Sequence, residues 1–146
     1  MAKLAGFSPI IATASPRNAA LLKSLGATHV LDRALPTDAA LAELAKLTAG
    51  APLEFAYDAI SLADTQPLAY RALAPGGSLL LVLPNLVPAE LKAPGDGKRV
   101  VSVFGNVHPP QNRKLGVEMY SRLTEWLEKG VLVVRVLRPL EEGGIR

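Results

Sequence analysis

The chain has 146 residues, 49% hydrophobic and 20% charged, the make-up of one soluble globular domain large enough to bury a core. It has no cysteine, which excludes disulfides, thiolate nucleophiles and cysteine-ligated zinc within these residues. The net charge of +3 comes from scattered Lys and Arg that form no stripe, so nucleic acid is not an expected partner. No apolar run approaches the ~18 residues of a membrane span, and no long apolar core follows Met1. No membrane partner is expected, and a cytoplasmic location is the default.

In chain order, Met1–Phe7 reads as the last turn and cap of a helix, and Ser8–Ala14 (SPIIATA) as a buried strand. The strand breaks at Ser15-Pro16-Arg17-Asn18, a helical pattern follows over Ala19–Leu25, Gly26 ends it, and Thr28–Asp32 is a second strand. Thr37–Thr48 carries Ala40, Leu41, Leu44, Ala45 and Leu47 at helical spacing. Thr37 or Asp38 is the expected N-cap and Gly50 the stop. Leu53–Asp58 is a third strand, Asp64–Leu73 a helix capped by Asp64, and Ala74–Gly77 a tight turn. Ser78–Leu83 is apolar throughout, as a strand covered on both faces should be. Pro84–Lys98 is a loop rich in Pro and Gly and a candidate mobile segment, and Arg99–Phe104 is a fifth strand. Asn112–Lys129 is the longest helix, with Leu115, Met119, Leu123, Trp126 and Leu127 on one face and Met119 and Trp126 expected in the core. Gly130 ends it, and Val131–Leu137 is a sixth β-branched run. Strands alternating with helices imply an α/β fold, its strands paired in parallel through right-handed crossovers. No repeat or internal boundary divides residues 1–146.

Three runs in this order, KSLGATHVLD at Lys23–Asp32, YDAI at Tyr57–Ile60 and APGG at Ala74–Gly77, resemble the cofactor domain of the medium-chain dehydrogenase/reductase superfamily. More narrowly, nearly the whole chain is similar to the fungal zinc-independent branch, the alcohol-dehydrogenase-like or trans-acting enoyl reductases. The resemblance implies a Rossmann-like doubly wound parallel sheet. It also implies NADPH-dependent hydride transfer to an activated double bond or carbonyl of a small-molecule substrate, as in an enoyl or quinone reductase. Against that family's pattern, the catalytic domain, the first strand of the sheet and the Gly-rich turn find no counterpart in these residues. Residues 130–146 match the start of a return to the catalytic domain. The expectation is therefore a single partial NAD(P)-binding domain, a fragment or gene remnant that is inactive in this form. In the strand order 3-2-1-4-5-6 the first strand is central. The strands at Ser8–Ala14 and Leu53–Asp58 would then close up, accept a strand from another chain, or leave the isolated chain unstable. Exposed sheet edges would favour an oligomer or a partner strand, and NADPH affinity would be very weak without the phosphate-binding turn.

The resemblance places Ser15, Arg17 and Asn18 where the adenine ribose sits. No acid stands at this position to hold ribose hydroxyls, and a hydroxyl beside a guanidinium suits a 2′-phosphate, hence NADPH. The competing reading makes Ser15-Pro16 a helix cap and Arg17 a solvated residue. Asp58 and Ile60 end the third strand on the adenosine side, with Asp58 equally suited to cap the turn. Leu83, Phe104 and Gly105 end the fourth and fifth strands on the nicotinamide side. No catalytic residue and no metal ligand is assigned: His29 lies within a strand, His108 in a loop, and Tyr57 and Tyr70 titrate too high for easy proton transfer. The alternative function is a non-catalytic interaction module that keeps the fold. A methyltransferase is disfavoured because Thr13–Asn18 offers no acid for its cofactor's ribose.

Overall fold

A computed structural model describes residues 2–133. Five parallel strands alternate with four α-helices: β1 (Ile11–Ala14), α1 (Ala19–Ser24), β2 (His29–Asp32), α2 (Thr37–Leu47), β3 (Phe55–Asp58), α3 (Gln66–Ala72), β4 (Ser78–Leu81), β5 (Arg99–Ser102) and α4 (Pro110–Glu128). The strands fall into two sheets, β1-β2 and β3-β4-β5. The first runs in register from Ile11↔His29 to Ala14↔Asp32. In the second, β4 is central, with Leu79 opposite both Ala56 and Val100. β1 and β3 do not pair with each other. The fold class is thus the expected one, a Rossmann-like α/β arrangement of parallel strands. No helix among the described residues is long and apolar enough to cross a membrane.

Each strand is shorter than the run read from the sequence. Val82 N–H, one residue past β4, donates to the Ser61 hydroxyl rather than to a strand. The helix starts also differ from expectation. Pro36 occupies the N-cap of α2, so Thr37 and Asp38 lie in its first turn, and the Asp38 carboxylate instead accepts from Arg71 Nη2 at 2.9 Å on α3. Thr65, not Asp64, stands at the N-cap position of α3, without a side-chain capping bond. The Ala74–Gly77 turn forms as read. Gly76 adopts φ +78° there, and a Cβ at Gly77 would stand 2.9 Å from the Ala74 carbonyl oxygen, so glycine is required at both.

The core lies in the second half, where Tyr70, Leu73, Leu79, Leu81 and Val87 pack together, flanked by Ala56, Ala69, Leu91 and Val100. The first half buries little beyond Leu31 and Ala40. Residues 84–98 are pinned: Val87 enters the core, Ala89–Leu91 forms a 3₁₀ turn, and Asp96 Oδ2 accepts from the Tyr70 hydroxyl at 3.0 Å. Lys98 Nζ donates to the Tyr70 carbonyl at 3.1 Å and stands 4.9 Å from the ring centroid. The expected core face of α4 is not a core. Gly116, against Val107, is its only buried residue, Met119, Leu123 and Trp126 are half-buried, and Leu115 is 68% exposed. Periodicity marks a face that suits burial; no described element packs closely enough to cover this one. Val131 and Leu132 N–H close α4 on the Trp126 carbonyl, and the rest of the sixth run lies outside the described residues.

Burial first, and then the hydrogen bond and negative charge of Asp96, raise the Tyr70 phenol above its usual value of 10.0. The unfolded chain therefore loses this proton at lower pH than the folded one. The stabilisation is complete below the unfolded value and is lost as pH rises through the folded one. Urea unfolding measured from pH 8 to 11.5 should show stability falling above about pH 10, with a shallower fall in Tyr70→Phe. An identical pH dependence in both proteins would rule out Tyr70 as its source.

Candidate functional site

In open parallel sheets, ligands bind beyond the carboxyl ends of the strands. At the end of β1, half-buried Ser15 has extended backbone (φ −63°, ψ 137°) and its hydroxyl makes no capping bond. Pro16–Asn18 forms a 3₁₀ turn that leads into α1. Arg17 and Asn18 are exposed, and Arg17 is in none of the ion pairs among the described residues.

The β1–β2 register adds what the linear order conceals. Asp32 lies opposite Ala14, one residue before Ser15, so an acid does stand beside this strand end. Its Oδ1 accepts from Ala34 N–H at 2.9 Å and so serves its own turn. Arg33 N–H donates to the Ala14 carbonyl at 3.1 Å, which sets a second exposed arginine at the same corner. Sequence reasoning passed over Arg33. Its signal was its place directly after the second strand, which parallel pairing carries to the end of the first.

Asp58, at the end of β3, is buried. Its Oδ1 accepts from Ile60 N–H at 3.0 Å and Ser61 N–H at 2.8 Å, and its Oδ2 from the Thr65 hydroxyl at 2.6 Å. These bonds spend the carboxylate on the turn and leave Ile60 exposed at this edge. Ser61 is fully buried with φ +54°. Its hydroxyl donates to the Asp58 carbonyl at 2.6 Å and accepts from Val82 N–H at 2.9 Å. Gln66, also fully buried, donates through Nε2 to the carbonyls of Ser61 (2.9 Å) and Pro84 (3.0 Å), and its Oε1 accepts from Leu86 N–H at 2.7 Å. This polar knot ties the loop after β3 to the loop after β4 and so sets where Ile60 and Leu83 stand. Gln66 carried no sequence signal, because a glutamine in a short helix looks the same whether solvated or buried.

Leu83 is exposed past β4, and Phe104, 74% exposed, follows β5. Asn112 Nδ2 donates to the Asn106 carbonyl at 2.7 Å and to that of Phe104 at 3.4 Å, fixing the 104–106 turn to the start of α4. A Cβ on Gly105 would meet nothing within 4 Å, so a flat group has room to approach the backbone. His29 is half-buried beside the Thr28 hydroxyl, and His108 is exposed. The described residues hold no group of three or more His, Asp or Glu placed to hold a metal. A cleft of about 480 Å³ beside β2 and α2 and one of about 330 Å³ between α2 and α3 are both lined without any of the predicted site residues.

Ser15, Arg17, Asn18, Ile60, Leu83, Phe104 and Gly105 thus follow the carboxyl ends of parallel strands, polar at β1 and apolar at β4 and β5. Residues 1–107 match the zinc-binding dehydrogenase family. A zinc-type alcohol dehydrogenase-like protein of Schizosaccharomyces pombe is 30% identical over 98% of this chain and 43% of its own length. A trans-enoyl reductase of a Penicillium species is 24% identical over the same shares. The chain therefore spans less than half the length of these relatives. Among solved structures, the CurK enoyl reductase superposes at TM-score 0.68 with 23% identity, over 90% of this chain and 39% of that one. The nucleotide-binding subdomain of the enoylreductase domain of PpsC from Mycobacterium tuberculosis superposes at 0.60 with 21% identity, over 87% and 72%. With the parallel α/β fold and the family match covering residues 1–107, the chain belongs to the zinc-binding dehydrogenase family, within the medium-chain dehydrogenase/reductase superfamily that its motifs resemble.

Proposed function

We propose that this chain is the cofactor-binding portion of an NADPH-dependent enoyl- or quinone-type reductase acting on a small molecule. The observation that carries the reading is the corner at the end of β1. It offers a hydroxyl without a capping partner, exposed Arg17 and Arg33, and a single carboxylate already engaged in its own turn. A 2′-phosphate suits such a corner, because guanidinium groups bind phosphate through charge-assisted, forked hydrogen bonds. Bound NADPH would supply a hydride for an activated double bond or carbonyl. Ser15, Arg17 and Asn18 would hold the phosphate and ribose end. Ile60 would line the adenosine side, braced by Asp58. Leu83, Phe104 and Gly105 would give an apolar, close-approach surface for the flat nicotinamide. The substrate and the acid–base groups belong to the whole protein's chemistry and are not assigned to this chain.

The test separates the 2′-phosphate from the rest of the cofactor. Adenosine 2′,5′-bisphosphate and AMP are titrated into the 146-residue chain while amide resonances are followed. The bisphosphate should shift Ser15, Arg17, Asn18 and Arg33 at lower concentration than AMP does. Arg17→Ala should weaken it about tenfold, the value of one charge-assisted hydrogen bond, and leave AMP unchanged. Equal responses to the two nucleotides would remove the NADPH assignment.

A further inference from the structure

Asp96 is where the segment before β5 is tied down. Its carbonyl accepts from Gly76 N–H at 2.7 Å, its Oδ1 from Lys98 N–H at 2.9 Å, and its Oδ2 from the Tyr70 hydroxyl at 3.0 Å. Tyr70 reaches it from the core, where that residue is 2% exposed, and Asp96 itself is half-buried. The bond to Lys98, two residues on, is an Asx turn, which folds the carboxyl back along the peptide that joins Asp96 to Gly97.

That peptide is the chemically weak point of the chain. Of Asp32, Asp38, Asp58, Asp64 and Asp96, Asp96 alone precedes a glycine, and no Asn precedes one. The peptide nitrogen that follows an aspartate can attack the side-chain carboxyl. Glycine, without a Cβ, puts the least bulk and the most backbone freedom at the attacking residue. Gly97 is exposed with φ +64°, and Gly95 on the other side of Asp96 has φ +85°. Among the described residues, Gly97 N–H makes no backbone hydrogen bond that an attack would have to break.

We propose that Asp96–Gly97 is a site of spontaneous aspartate isomerisation, and that the Tyr70 hydroxyl sets its rate by holding the carboxylate. The Gly97 nitrogen forms a bond to Asp96 Cγ. One carboxyl oxygen leaves as water, carrying the amide proton and one proton from solvent, and a cyclic imide results. Water then opens the ring at either carbonyl. Opening at Cγ restores aspartate. Opening at the former main-chain carbonyl leaves the chain running through Cβ and Cγ, one methylene longer, with a free α-carboxylate. No oxidant, reductant or second substrate is consumed.

Attack requires the carboxyl to turn toward the Gly97 nitrogen in its neutral form. The two donors on Asp96 oppose both, because hydrogen bonds to the charged form favour that form and fix its orientation. Once isomerised, the residue cannot keep its three bonds. The added methylene displaces the carbonyl from Gly76 and the carboxylate from Tyr70 and Lys98. The segment before β5 then parts from the turn at Gly76. The inference stands apart from the cofactor reading, since Asp96 lies beside the starts of β4 and β5, at the opposite end of these strands from the candidate site.

The test ages the 146-residue chain, its Tyr70→Phe variant and a synthetic peptide of residues 93–99 (APGDGKR) at neutral pH and physiological temperature. Fragment-ion mass spectrometry then locates and counts isoaspartate. In the unaltered chain it should accumulate at Asp96 before any other Asp. The peptide, in which nothing holds the carboxylate, should isomerise about a hundredfold faster than the folded chain, about tenfold for each of the two hydrogen bonds. Tyr70→Phe keeps the ring in the core and loses one donor, so it should isomerise about tenfold faster than the unaltered chain. The proposal is overturned if another Asp leads, if peptide and folded chain age alike, or if a folded Tyr70→Phe ages no faster. It is also overturned if the folded chain is slowed, relative to the peptide, by the same factor as amide exchange at Leu79 and Leu81, which would make global opening the route. Should Tyr70→Phe fail to fold, the comparison of folded chain with peptide decides.

Discussion

Gln66→Leu is expected to lower the stability of the chain by about 3 kcal/mol or more, measured by urea unfolding. Gln66 is fully buried, and its amide serves the Ser61 carbonyl, the Pro84 carbonyl and the Leu86 N–H. Leucine has nearly the same size, so packing changes little, but three backbone groups lose their partner. Each such group left unpaired costs about 1–3 kcal/mol. The same substitution uncouples the loop after β3 from that after β4. Amide exchange at residues 60–62 and 84–86 should therefore quicken more than in β5. Gln66→Glu separates the two halves of the amide: it keeps an acceptor for Leu86 N–H but presents a carboxylate to two carbonyl oxygens. A loss below about 1 kcal/mol in Gln66→Leu would mean that water replaces the amide and that the knot is not what shapes this edge.

Leu79→Ala should cost about 2–5 kcal/mol, the range for removing a buried leucine side chain. Leu79 is fully buried at the centre of β4, the middle strand of its sheet, within the cluster formed with Tyr70, Leu73, Leu81 and Val87. Strands hydrogen-bonded on both sides shift little to fill a void, so the upper part of the range applies. Leu21→Ala on α1 is the comparison. Leu21 is 47% exposed, and its loss should change the urea midpoint by much less. Equal losses at the two positions would place the stability outside the β3–β5 core.

The order of elements was legible because each half of a strand–helix–strand unit leaves its own local mark. β4 showed in Ser78–Leu83 as an unbroken apolar run, and α2 in Thr37–Thr48 as a 3.6-residue repeat. The starts of α2 and α3 were misread because Thr37, Asp38 and Asp64 are good capping residues by type. Which residue takes the cap depends on how the chain enters the helix, and Pro36 and Thr65 stand there instead. Met119 and Trp126 were misplaced for a related reason: an apolar stripe records what a helix would bury, not whether a neighbour is present to cover it.

The candidate site divides along the same line. Ser15, Arg17, Asn18, Leu83, Phe104 and Gly105 could be named from the chain because the family resemblance places them past the strand ends, where ligands gather in parallel sheets. Arg33 and Asp32 join the β1 corner only through the β1–β2 register, and Gln66 becomes part of the rim only when three loop groups converge on its amide. The amino-acid sequence by itself determined the α/β class, the family motifs and the strand-end residues, since these follow from short-range patterns of apolarity, turn chemistry and spacing. Tertiary structure alone decided that Asp58 is spent on its turn and that Gln66 and Ser61 carry the rim. Burial and backbone pairing are properties of neighbours far apart in the chain, and no local pattern encodes them.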